Sequence, residues 1–165
     1  MRYLNKIVFI NSAAIRYSEV QLDGNIHLIG TQGVGKSTIL RAILFFYNAD
    51  TQRLGIPVEK KSYQDYYFPY ADSSIIYEVA REDGWFTVLS YKTMNRICYR
   101  FIASPYRPDL FIDEEGAPYP SDRIRSVLDK NGIKYSGAIS TYEEYRNILY
   151  GNSDNNCLLY TSDAA

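Results

Sequence analysis

The sequence predicts an α/β fold in which a core of strand, glycine-rich loop and helix joins an antiparallel β-meander and small helices. Three segments in succession support this prediction: residues 26–29 (IHLI), 30–37 (GTQGVGKS) and 38–47 (TILRAILFFY). The short apolar run indicates a buried strand, and the glycines indicate a loop. The third segment is apolar almost all round, which indicates a helix enclosed on most sides. With 165 residues, 46% of them apolar, the chain can bury a core.

Two β-rich segments precede this core. Residues 4–10 (LNKIVFI) and 16–22 (RYSEVQL) are separated by NSAA, which predicts two strands of a hairpin or meander. Residues 23–25 (DGN) then predict a turn into the strand at 26–29.

The middle of the chain divides into an irregular part and a β-meander. Residues 48–70 contain a glycine, two prolines and a charge cluster, so we expect an irregular segment there. Three strand-like runs with hairpin-length breaks follow, at residues 74–80, 85–92 and 96–103. This spacing predicts antiparallel strands. Residues 110–116 (LFIDEEG) predict a further strand and turn.

Two short helices are predicted near the end of the chain. The first spans residues 121–130 (SDRIRSVLDK), with Ser121 as its N-cap and residues 131–132 (NG) as its stop. The second spans residues 141–150 (TYEEYRNILY), where Thr141 is followed three residues later by glutamate, as in a capping box.

Composition excludes several classes of protein. A formal charge of −1 and a pI near 5.8 argue against a globally basic nucleic-acid binder. There is no run of eighteen apolar residues for a membrane span, and the N-terminal segment is too short for a secretory signal, so we expect a cytoplasmic protein. Cys98 and Cys157 cannot make a disulfide framework, and neither has neighbours that would suggest a metal site.

Residues 30–37 match the phosphate-binding pattern G-x-x-x-x-G-K-[ST] between a predicted strand and a predicted helix, where that pattern is meaningful. The glycines allow consecutive N–H groups to curl around a β-phosphate at the positive end of the helix. Lys36 can reach the β- and γ-phosphates, and Ser37 can supply one oxygen to Mg²⁺. The predicted ATP and Mg²⁺ site comprises Gly30, Thr31, Gln32, Gly33, Val34, Gly35, Lys36, Ser37 and Thr38. The alternative is a glycine-rich turn that matches by chance.

Residues 25–47 (NIHLIGTQGVGKSTILRAILFFY), with two strands before them and a meander after them, resemble the N-terminal half-head of ABC-type ATPases of the SMC and SbcC kind. The resemblance covers residues 1–103 and is specific only around the loop. Gln32 stands where that family usually has asparagine. The first hairpin lacks the family's aromatic-plus-arginine pattern for adenine, and Arg16 is a weak substitute.

The resemblance implies a split ATPase. In such proteins a long coiled coil separates this half from a second half that carries the signature motif, the Walker B aspartate and the catalytic glutamate. Two heads then sandwich two ATP molecules, and the whole protein acts on DNA. No second half is recognisable in these 165 residues. We therefore expect the chain to bind ATP and Mg²⁺ but not to turn over, with the missing C-terminal half-head and a second head as partners.

The last nine residues, 157–165 (CLLYTSDAA), carry no pattern that continues the preceding sequence. They can be encoded by a nucleotide sequence that resembles the transposon-end adaptor used to prepare sequencing libraries. We therefore predict an incomplete ATPase lobe over residues 1–156 and a non-native tail over 157–165. The alternative is a real frayed terminus.

Three further groups of residues have rival interpretations. Asp113 and Glu114 could end a Walker B strand of a compact NTPase or kinase, although residues 113–116 (DEEG) are equally typical of a turn. The residues Arg96, Cys98 and Arg100, extended by Lys92, could form a basic strand face for DNA or an ordinary solvated face. Aromatic residues at 63–70 could stack bases, but packing is the default. We expect His27 to be structural and assign no role to Gln64.

Overall fold

The computed structural model describes residues 3–22, 35–48, 63–94 and 96–150. Within these residues five strands form one antiparallel sheet. The strands are β1 (Tyr3–Ser12), β2 (Ile15–Gln21), β3 (Ser74–Arg81), β4 (Gly84–Thr93) and β5 (Arg96–Ile102), in the spatial order β2-β1-β3-β4-β5. The helices are α1 (Lys36–Asn48), α2 (Tyr63–Tyr67), α3 (Ser121–Lys130) and α4 (Tyr142–Leu149).

The register confirms the predicted hairpins and meander. Ser12 lies opposite Ile15, so β1 and β2 are joined by a two-residue turn, and Arg81 lies opposite Gly84 in the β3–β4 hairpin. The observed strand bounds differ from the predicted ones by at most two residues at either end. The predicted strand at residues 26–29, on which the P-loop core depends, lies outside the described residues and stays a prediction.

Both faces of the sheet are buried, and each has its own core. Alternate residues of β1 divide between the two cores: Phe9 belongs to the face that also packs α1, α2 and α4, whereas Val8 belongs to the face that packs α3. We call these the α1 face and the α3 face. All but the last residue of β3 is buried, because β3 lies in the middle of the sheet with helices on either side.

Helix α1 is less enclosed than its sequence predicts. Its buried side, which includes Ile39, Phe45 and Phe46, packs on the sheet. The opposite side carries Leu40 and Leu44, which are 52% and 45% exposed. The prediction of a helix enclosed on most sides is therefore wrong for the described structure, in which the sheet covers only one side.

Of the strand and turn predicted over residues 110–116, the strand does not form and the turn does. Pro108–Leu110 instead make a short 3₁₀ helix, in which Leu110 N–H donates to Arg107 O at 3.1 Å. Proline favours this start because it fixes φ and has no N–H to satisfy. Leu110 and Phe111 then insert into the core of the α3 face, and the chain turns at residues 113–116.

Helix α3 begins and ends close to its predicted bounds. Its N-cap is Pro120 rather than Ser121, and no side chain caps it, because the helical backbone already starts at Ser121. At the other end Gly132 has φ +67 and donates to Asp129 O at 3.1 Å, while Ile133 donates to Leu128 O at 3.0 Å. This is a Schellman motif, and it confirms the predicted stop.

Gly132→Ala is expected to lower the free energy of unfolding by about 1–2 kcal/mol, because a Cβ disfavours the left-handed conformation. Gly137→Ala is the matched control. Gly137 lacks a positive φ and a Cβ there would meet nothing within 4 Å, so alanine should be neutral or slightly stabilising. Urea denaturation of both variants measures the difference. Equal stability of the two would contradict the assigned cap.

Residues 134–139 cover the outer edge of β5. Tyr99 and Ile139 exchange two backbone hydrogen bonds of 2.8 Å, and Ala103 N–H donates to Lys134 O at 2.9 Å. Helix α4 follows directly. Thr141 is its N-cap and accepts from Glu144 N–H at 3.3 Å, which confirms the predicted cap.

Candidate functional site

The end of the predicted phosphate loop lies at the start of α1. Residues 30–34 are outside the described residues. Gly35 O accepts from Ile39 N–H at 3.2 Å, so Gly35 directly precedes the helix, and Lys36 and Ser37 are its first two residues. Both side chains are exposed, and Thr38 is half-buried. The first N–H groups of a helix have no intrahelical acceptor and lie at the positive end of its dipole.

The backbone is accessible at this point. A Cβ placed on Gly35 would meet no atom within 4 Å, and Gly35 itself is exposed. For the predicted ATP and Mg²⁺ site, Lys36 would supply a cation and Ser37 a hydroxyl oxygen at this end of the helix.

Tyrosine hydroxyls fix α1 on the sheet. Tyr77 Oη of β3 donates to Ala42 O at 3.0 Å, and Tyr145 Oη of α4 donates to Phe46 O. Tyr150 Oη donates to Tyr47 O at 3.0 Å. Two of these carbonyls belong to the last turn of α1, where backbone oxygens have no intrahelical donor. Tyrosines far away in the sequence therefore hold the middle and the C-terminal end of the helix that begins at Lys36.

Sequence reasoning missed this role of the tyrosines. It considered the aromatic residues at 63–70 and expected packing there, but gave the tyrosines elsewhere no role. Tyr77 and Tyr145 are instead fully buried, so their hydroxyls need protein acceptors. Burial, with a smaller contribution from nearby Tyr150, also raises the pKa of Tyr47. No sequence signal identifies which carbonyl each hydroxyl will find.

Asp113 and Glu114 lie away from this helix start. Asp113 Oδ1 accepts from the N–H groups of Glu115 at 2.9 Å and Ala117 at 2.8 Å, so it stabilises the turn. The preceding Leu110 belongs to the core of the α3 face, whereas α1 packs on the other face. Residues 110–114 therefore do not form the strand that a Walker B segment needs, and Asp113 and Glu114 lie on the other side of the sheet from α1 and Lys36.

The predicted basic strand face, whether for DNA or for solvent, is wrong for Cys98, Arg100 and Lys92, whereas Arg96 at the start of β5 is exposed. Cys98 and Arg100 are only 4% and 5% exposed, because α3 and residues 133–136 cover this side of β5. Arg100 Nη1 donates to Ser136 O at 2.7 Å, and its guanidinium lies 5.4 Å from the Tyr135 ring. Lys92 lies directly opposite Ile97 in the strand register, and both are therefore on the α1 face rather than on the side of Cys98. Lys92 Nζ lies 3.6 Å from Asp65 Oδ1. Burial raises the pKa of the Cys98 thiol.

The remaining sequence predictions have mixed outcomes. In the aromatic segment Tyr67 and Phe68 are buried in the α1-face core, which confirms packing over base stacking for them. Arg16 is exposed and lines a groove on the α3 face. His27 and the side chain of Gln64 lie outside the described residues.

Comparison with known proteins identifies the family to which this chain belongs. None of the helices in the described ranges has the length and apolar character to traverse a lipid bilayer. Comparisons with curated proteins and with solved structures find no match. The profile of one family, described as "Protein of unknown function (DUF3584)", matches residues 11–156. This match spans most of the sequence and includes the whole glycine-rich loop, so the chain belongs to the DUF3584 family.

Proposed function

We propose that this chain is the ATP- and Mg²⁺-binding N-terminal half of an ATPase head similar to those of SMC and SbcC proteins. One observation carries the proposal. Lys36 and Ser37 complete a G-x-x-x-x-G-K-S pattern, and both are exposed at the start of a helix whose other side packs on the sheet. The pattern requires this placement. The family match includes the same residues, although its description names no activity.

Each residue of the loop has a defined part in this proposal. Backbone N–H groups of residues 30–38 would hold the phosphates, with help from the positive end of the α1 dipole. Lys36 would bind the β- and γ-phosphate oxygens as a point charge, and Ser37 would place one oxygen on Mg²⁺. The tyrosine contacts to the carbonyls of α1 support this by fixing the helix before any ligand binds.

We do not expect this chain to hydrolyse ATP by itself. Phosphoryl transfer needs a positioned water and compensation of the γ-phosphate charge. Asp113 is occupied in a turn on the α3 face, so it is badly placed for that work. In this proposal those groups come from a C-terminal half-head and from a second head, and the complete protein acts on DNA.

Saturation with ATP and Mg²⁺ is expected to stabilise the chain. A ligand at 100 times its Kd adds about 2.7 kcal/mol, which raises the Tm of a domain of this size by about 5–10 °C. A thermal scan with and without ATP·Mg²⁺, with AMP as the matched control, measures the shift. AMP lacks the β- and γ-phosphates, so it should give little. No shift with ATP would mean that the loop is retained only as architecture.

The same preparation tests the stand-alone alternative. Measurable ATP hydrolysis by the chain that is lost in Asp113→Asn would favour a compact NTPase over a half-head. We expect no hydrolysis from either protein.

The C-terminal tail is a separate proposal. We infer that residues 157–165 derive from a sequencing adaptor and that the natural reading frame continues differently after about residue 156. The end of the family match at residue 156 supports this boundary. Re-sequencing the locus tests it: a genome that encodes CLLYTSDAA and then stops would overturn the inference.

A further inference from the structure

A groove of about 1200 Å³ lies on the α3 face, and none of residues 35–38 lines it. One wall is the end of the β1–β2 hairpin, the second is α3, and the third is the loop of residues 108–119. Half-buried apolar side chains contribute to its lining, among them Ile112, Pro118 and Val127. The groove therefore offers apolar surface between polar walls, as binding sites usually do.

Cationic side chains stand on opposite walls. Arg16 lines the hairpin wall, and Arg123 and Lys130 line the α3 wall. Arg123 and Lys130 are seven residues apart on one side of the helix, which separates them by about 10 Å along its axis. Among the described residues neither Arg16 nor Lys130 has an ion-pair partner.

The acidic residues of the groove are placed differently, since all of them lie on the 108–119 loop. Asp109 is held by Arg107 through two hydrogen bonds of 2.7 and 3.2 Å, and this guanidinium lowers the pKa of the carboxyl. Asp113 is occupied by its turn. Glu114 is exposed. The groove therefore has one acidic wall and two cationic walls.

The hairpin wall is tied to the core of the α3 face through Tyr17. Tyr17 lines the groove, and its hydroxyl lies 2.8 Å from Tyr106 Oη and donates to Glu19 Oε2 at 2.9 Å. Burial raises the pKa of Tyr17 to about 12, so this hydroxyl stays neutral at physiological pH.

We propose that this groove binds an extended peptide segment of a partner protein in which acidic and apolar residues are interspersed. Acidic side chains pair with Arg16, Arg123 and Lys130, and apolar side chains cover Ile112 and Val127. In an extended polyproline II segment, residues i and i+3 lie on one side about 9 Å apart, which matches the spacing of the two cations of α3. The proposal thus specifies two acids three residues apart.

Charge distribution favours a peptide over a nucleic acid. A polyanionic backbone would bring phosphates against Asp109, Asp113 and Glu114, and like charges held close together are unfavourable. A peptide, by contrast, can carry acidic side chains where it faces the cationic walls and uncharged ones where it faces the acidic loop.

The test is selection from a phage-displayed library of random 12-residue peptides against the full chain. We expect enrichment of peptides with two acids at i, i+3 beside aliphatic residues. A synthetic peptide of the selected consensus should then bind Arg123→Glu/Lys130→Glu at least about tenfold more weakly in fluorescence anisotropy. Arg125→Glu is the matched control, because Arg125 is exposed on the same helix but does not line the groove.

Several outcomes would overturn the proposal. These are no enrichment, a consensus without acids, or equal loss in the Arg125→Glu control. A 12-nucleotide single-stranded DNA that binds better than the peptide, and loses binding in the double variant, would assign the groove to nucleic acid instead. Thermal melting checks that each variant is folded, and Arg123→Gln/Lys130→Gln provides a milder pair.

Discussion

Tyr145→Ala is expected to lower the free energy of unfolding by about 3–5 kcal/mol, the usual cost of deleting a large buried aromatic side chain. Tyr145 is 0% exposed, and its ring lies 4.3 Å from Tyr99 and 5.8 Å from Phe101 between centroids. Its hydroxyl also donates to Phe46 O at the end of α1. The substitution therefore removes both the packing against β5 and the hydrogen bond to α1. Urea denaturation measures the loss.

Two further variants separate these contributions. Tyr145→Phe keeps the ring and removes only the hydroxyl, which should cost about 1–3 kcal/mol because a carbonyl oxygen of α1 loses its donor. Tyr142→Ala is the control on the same helix, since Tyr142 is 45% exposed, and it should change stability by about 0.5 kcal/mol or less. A Tyr145→Ala protein as stable as the Tyr142→Ala protein would contradict the docking of α4 on α1.

Lys36→Ala is expected to remove measurable ATP binding. A charge-assisted hydrogen bond contributes about 1.5–3 kcal/mol, so the loss of even one raises Kd by roughly 10- to 100-fold. Lys36 is exposed at the first position of α1, where alanine is a good helix former, so folding should not change. Isothermal titration calorimetry with ATP·Mg²⁺ measures the affinity, and unchanged binding would remove the phosphate-loop assignment.

Two comparisons make this result specific. Lys130→Ala deletes the same charge from an exposed position on the opposite face of the sheet and should leave ATP affinity unchanged. Ser37→Ala should weaken binding when Mg²⁺ is present but not when EDTA has removed it, since its proposed role is to bind the metal ion. An equal effect of Ser37→Ala in both conditions would contradict that role.

Local patterns in the sequence predicted much of the fold. The β3–β4–β5 meander and the β1–β2 hairpin were predicted to within one or two residues, because hairpin-length breaks separate β-branched and aromatic runs. The stop of α3 was equally clear, since Gly132 occupies a position that needs a left-handed backbone. The strand predicted within residues 110–116 does not form, because Pro108 starts a 3₁₀ helix there. Leu110 and Phe111 then pack into the α3-face core.

What the sequence could not predict depends on contacts between distant segments. Alternation along β5 identified Arg100 and Cys98 as one side of a strand, but not that α3 and residues 133–136 would bury that side. The motif names Lys36 and Ser37 from spacing alone, and the structure places both at the start of α1, while their role in nucleotide binding stays a prediction. The groove on the α3 face has no such signature, since its three walls come from separate parts of the chain.

The segment that lies along β5 also affects how the protein behaves at high concentration. Exposed strand edges are where sheets of different molecules join and begin to aggregate. At β5 an incoming strand would first have to displace residues 134–139, breaking the paired hydrogen bonds of Tyr99 with Ile139 and the bond from Ala103 to Lys134. Arg100 would lose its Ser136 acceptor in the same step. Intermolecular sheet growth at this border therefore requires partial unfolding, which protects the folded molecule there.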